Sequence, residues 1–113
     1  MTDTPGRVVF LSGDLMFASR VSGAAKNAGL TFYFGGNFPN DETDTIRFVI
    51  LDLSTRSKLV PDAPQWVADN CPDAELIAYG PHVQVAKLDA AEAAGIEKVL
   101  TRGQFDSRLA SLF

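Results

Sequence analysis

Asp52 is the residue whose setting first suggests chemistry. It closes the run Phe48-Val49-Ile50-Leu51, which is short, unbroken, apolar and rich in residues that favour strands. Such a run reads as a strand buried on both faces. A carboxylate at its end emerges at the carboxyl edge of a sheet, where open α/β folds build their sites. A buried charge requires a partner. Arg102 is the expected one; the alternative is that Asp52 caps the loop that follows.

Ser12-Gly13-Asp14 follows another short apolar run. Asp14 suits the N-cap of the next helix, its carboxylate accepting an amide of the first turn. Ser12 and Gly13 also form a thin phosphate loop, although one Ser-Gly pair offers few donors to an anion. Gly80 and His82 come after a fourth strand-like run, on the same sheet edge. His82 is expected at a helix start, where the positive end of the helix favours a neutral imidazole. It is the only histidine, and Cys71 the only cysteine, so no cysteine metal cluster is possible, a lone histidine points poorly to a metal, and no Ser-His-Asp or Cys-His set has a spacing that defends it. A small-ligand or nucleotide site built from Ser12, Gly13, Gly80 and His82 is the alternative of a different class.

The elements that must hold these residues alternate. Strands are expected at 8–11, 30–34, 46–52, 75–79 and 96–100. Helices are expected at 15–28, 65–70 and 82–94, with a short terminal helix marked by Phe105, Leu109, Leu112 and Phe113. Residues 53–64 read as a loop carrying the basic pair Arg56 and Lys58. In the helix at 82–94, the stripe Val83, Ala86, Ala90 and Ala93 is expected to face inward. Residues 35–45 are rich in turn formers and leave room for about one helical turn. Phe38 stands in that segment, hard to bury, as a candidate contact residue. Strands alternating with helices imply a parallel sheet with helices on both faces. The order expected is 2-1-3-4-5, which sets Asp14 and Asp52 side by side at the switch point.

At 113 residues the chain suits one domain, 1–113, with 1–6 as a flexible lead-in. Its net charge of −4 argues against general nucleic-acid binding. No apolar run approaches the ~20 residues of a membrane span, and a cytoplasmic, bacterial-type setting is expected.

With this pattern in place, the chain resembles the receiver domain of two-component response regulators. The resemblance covers nearly the whole chain and rests on the strand ending in Asp52 and on the segment from Ala94-Gly95 to Phe105. It is also similar to a little-characterised bacterial group of receiver-like proteins, through Asp14 to Arg20 and Gly80-Pro81-His82. The resemblance implies a flavodoxin-like three-layer sandwich with a reduced second crossover. It implies Asp52 as phospho-acceptor, and it implies changes at the other positions that matter. Ser12 and Gly13 stand where the family has two acidic magnesium ligands, Gly80 where it has a hydroxyl, and Arg102 where it has a lysine. Asp14 and Asp52 are what remains of a magnesium site, so no cofactor is expected; magnesium, with Asp14 partly replacing the missing pair, is the alternative. An aspartyl phosphate brings three negative oxygens beside its acceptor and needs a cation to offset them. The expected function is therefore that of a divergent, non-enzymatic receiver that associates with a protein partner or with itself. The family's contact surface is helix four, strand five and helix five, here about 83–113, with Lys87, Lys98, Arg102 and Arg108. A phosphorylatable single-domain regulator using Asp52 is the alternative.

Overall fold

The computed structural model describes residues 5–113. Of the lead-in expected at 1–6, residues 1–4 lie outside the described residues. Five parallel strands, β1 (Arg7–Leu11), β2 (Thr31–Gly35), β3 (Ile46–Asp52), β4 (Glu75–Gly80) and β5 (Lys98–Thr101), lie in the order β2-β1-β3-β4-β5. This is the expected order. Side chains alternate across a strand, so Val8 and Phe10 of β1 enter one core and Val9 and Leu11 the other. Both faces are covered, which is why the central strands read as continuous apolar runs.

Helices α1 (Leu15–Asn27) and α5 (Arg102–Leu112) cover one face, through Phe17, Val21, Ala25, Phe105 and Leu109. The other face carries α2 (Leu53–Arg56), α3 (Ala63–Asn70) and α4 (Val85–Ala93), through Leu53, Ala63, Val67 and Ala91. Register sets Asp52 beside Tyr79, and Gly80 beside Thr101. The turns after β1, β3, β4 and β5 therefore open on one edge.

The second crossover is reduced, as expected, to a single 3-10 turn at Thr43–Thr45. What replaces a helix there is an aromatic stack: Phe38 lies on Trp66 with centroids 4.7 Å apart and planes 13° apart. Phe38 is thus packed on the core rather than offered as a contact residue. Arg7 is buried at the same end. It donates to the Asp41 carbonyl at 2.9 Å, pairs with the Asp41 carboxylate at 3.6 Å, and lies 5.1 Å from the Tyr33 ring centroid.

Three further expectations are corrected. The supposed loop at 53–64 contains α2 and a 3-10 turn, Ser57–Leu59, because Asp52 caps a helix directly after β3. Strand β5 starts at Lys98, with Ile96 buried in the preceding turn. The helix expected at 82–94 begins at Val85, and its stripe is reversed: Leu88 and Ala91 pack inward while Val83 is 74 % exposed and Ala86, Ala90 and Ala93 face outward. Alanines on nearly every side leave α4 without a dominant apolar period, and the bulky Leu88 takes the core position.

Candidate functional site

Asp52 ends β3 with 2 % of its surface exposed, and its carboxylate is supplied entirely by neutral donors. Ser12 Oγ donates to Oδ2 at 2.6 Å and Thr55 Oγ1 donates to the same oxygen at 2.8 Å. Oδ1 accepts from the Ser54 amide at 3.0 Å and from Ser54 Oγ at 2.7 Å. The last two contacts make Asp52 the N-cap of α2. The hydroxyls continue outward. Ser12 Oγ accepts the Asp14 amide at 2.9 Å, and Thr55 Oγ1 accepts the Gly13 amide at 2.9 Å. All four donors are neutral, and among the described residues no lysine or arginine nitrogen lies within 4.0 Å of this carboxylate.

The expected Asp52–Arg102 pair is not formed. Arg102 Nη2 instead meets Asp14 Oδ2 at 3.1 Å, and its guanidinium lies 4.7 Å from the Phe17 ring centroid. The reason is local. Arg102 is the first residue of α5, which packs beside α1, so its side chain reaches the first turn of that neighbour. The expected capping by Asp14 is present, with Oδ1 accepting the Phe17 amide at 2.9 Å.

Gly80 stands where a side chain would crowd its surroundings: a Cβ there would lie 3.2 Å from Leu53 Cβ. His82 is exposed and precedes α4 by three residues, so it does not sit on a helix N-terminus as expected. It borders an open cleft of about 480 Å³ with Phe17, Pro81 and Arg102. The seven expected residues thus share one edge in two groups. Ser12, Gly13 and Asp14 join Asp52 in a hydrogen-bonded cage, while His82 and Arg102 line the cleft next to it. Gly80 lies at the foot of the turn leading to His82.

Four participants were not singled out in the sequence. Ser54 and Thr55 follow Asp52 in the pattern Asp-x-Ser-Thr, and a capping aspartate before a helix was the available signal. Arg56 read only as a loop charge. It lies across the edge, with guanidinium nitrogens 3.5 Å and 3.0 Å from where Cβ atoms of Gly13 and Gly36 would stand. Tyr79 is 1 % exposed and stacks on Phe105 at 4.6 Å, and among the described residues its hydroxyl has no partner of hydrogen-bond geometry. Burial pushes its phenol far upward, the Asp52 charge adds to this, and Ser12 and Arg102 oppose it. Tyr79 is therefore a neutral wall of the cage.

The donor set does not fit magnesium. That ion favours carboxylate oxygens in near-octahedral array. Here both Asp52 oxygens accept hydroxyl protons, and both Asp14 oxygens are occupied by the Phe17 amide and Arg102. Among the described residues no three metal-ligating acidic, histidine or cysteine side chains come together.

No family model matches the chain, and no curated protein matches it. Solved structures do. A CheY-like response regulator receiver domain protein from Methanospirillum hungatei is 9% identical, with 94% of each chain covered and a TM-score of 0.67. The beryllofluoride-activated NtrC4 receiver domain dimer is 15% identical, over 91% of this chain and 92% of that one, at 0.64. A Burkholderia pseudomallei response regulator with a phosphorylated aspartic acid and a calcium ion is 18% identical, over 96% and 66%, at 0.68. The fold is that of a response-regulator receiver. At these identities the likeness concerns the receiver fold alone, onto which many functions are built.

Proposed function

We propose that the chain, as one domain spanning 1–113, is a receiver-type signalling module that acts by protein association rather than by accepting a phosphoryl group. The observation that carries this reading is the cage around Asp52. A carboxylate oxygen that attacks phosphorus must be free, and the product must have a cation beside it. Ser12, Ser54 and Thr55 hold both oxygens, while Arg102 is engaged with Asp14. The proposed contact face is α4, β5 and α5. On it Lys98 pairs with Glu75 and Arg102 with Asp14, whereas Lys87 and Arg108 have no carboxylate within 4.0 Å among the described residues. The NtrC4 receiver is a dimer, which supports self-association as one form of that contact. A bacterial cytoplasmic setting suits the free, buried thiol of Cys71.

The second reading is a phosphorylatable regulator using Asp52, favoured by its place at the end of β3. Intact mass after incubation with magnesium and acetyl phosphate separates the two. The expected result is no mass gain in wild type or in Asp52→Asn. A gain of one phosphoryl group that Asp52→Asn abolishes establishes the second reading instead.

A further inference from the structure

The outward-facing side of α4 borders an open groove of about 400 Å³ between this helix and the segment after α2. Its walls are apolar: Val60 and Pro61 on one side, Ala86 and Ala90 on the other. Polar groups enter from Ser57 and Lys87. The groove shares no residue with the Asp52 cage.

Two features indicate what would fill it. Small side chains on α4 leave room where a larger residue would close the space, and the volume lies within the ~300–1,000 Å³ typical of small-molecule sites. Lys87 is half-buried and is the single charged residue among those that line the groove. Its ammonium has no carboxylate within 4.0 Å among the described residues. A cation at the rim of an apolar trough complements a molecule with an apolar body and one negative end. Ser57 adds a hydroxyl-bearing side chain to the lining.

We propose that this groove binds a small amphipathic anion, an alkyl or aromatic body carrying one carboxylate. The apolar body lies against Val60, Pro61, Ala86 and Ala90, and the carboxylate meets Lys87 with help from Ser57. This binding does not depend on whether Asp52 is modified; because Lys87 also belongs to the proposed contact face, association through α4 would compete with it.

The test uses the full chain with sodium decanoate below its micelle concentration, and decyltrimethylammonium as a probe of similar tail and opposite charge. Calorimetry and amide chemical shifts are the readouts. Expected are saturable binding of decanoate, shifts centred on Val60, Ala86 and Ala90, and no comparable binding of the cation. Lys87→Glu should weaken decanoate about tenfold or more, a loss of about 1.4 kcal/mol per tenfold. Ala90→Phe, at an exposed helix position, should fill the trough and remove binding while thermal stability is kept. Equal binding of both probes, shifts elsewhere, or unchanged affinity in both variants overturns the proposal. So does an absence of decanoate binding, and a concentration-dependent dimer that shifts the same amides then assigns the groove to a second copy.

Discussion

The hydroxyl of Thr55 donates to Asp52 Oδ2 at 2.8 Å while accepting the amide proton of Gly13 at 2.9 Å. One oxygen therefore ties the turn after β1 to the turn after β3. Thr55→Val keeps the shape and removes both bonds, so a loss of about 1–2 kcal/mol is expected. Thr55→Ser should recover most of it. Urea unfolding midpoints measure the difference, and a Val variant as stable as wild type would show that the bridge contributes nothing.

Ser12→Ala removes the shortest contact to a carboxylate that is 2 % exposed. The buried anion then lacks a donor, and the expected cost is about 1–3 kcal/mol. Ser12→Asp is a sharper probe of magnesium binding at this edge. It sets a second carboxylate against Asp52, so stability should fall without magnesium and recover as magnesium is added. Wild type should respond to neither magnesium nor a chelator. Thermal shift reads both, and a wild-type melting temperature that rises with magnesium would contradict the absence of a fitted site.

Phe38 and Trp66 take the place of a crossover helix through a stacked contact at 4.7 Å. Phe38→Ala should cost about 2 kcal/mol, less than a fully buried phenylalanine, because the ring is half-buried. It should also shift the emission of Trp66, the only tryptophan, toward the red as water reaches the indole. Unchanged emission would mean that the stack is not maintained in solution.

Burial pushes the Cys71 thiol from its ordinary value of 9.0 up to about 11. Between these values the unfolded chain gives up the proton and the folded chain keeps it. The unfolded state is then favoured as pH rises, so stability should decline from pH 9 toward pH 11 and not below. Cys71→Ala removes that component, and the difference between the two proteins across this range isolates it from other groups titrating there. Alkylation of Cys71 at pH 8 should be slow until denaturant is added.

The sheet was legible because its central strands are buried on both faces, which leaves unbroken apolar runs whose ends can be counted. Asp52 and Asp14 could be placed on its edge for the same reason. Partners were harder. Arg102 and Asp52 share that edge, yet charge alone does not say which carboxylate an arginine reaches. The direction was decided by α5 beginning at Arg102 itself, against α1. Hydroxyls carry no charge signal, so Ser54 and Thr55 passed as loop residues although they complete the cage. On α4, alanines around the helix hid the inward face, and the position of Leu88 decided it. Phe38 read as exposed because no local pattern shows that Trp66, far along the chain, will cover it.

A turn at the rim of a sheet is ordinarily where amide protons exchange first. Gly13 is exposed, yet its amide proton is held by Thr55, which is held in turn by a carboxylate forty residues from Ser12. That proton can leave only when the turn after β3 lets go as well. The two turns should therefore open as one cooperative unit, with Gly13 exchanging on the same timescale as the first turn of α2 rather than as a free loop.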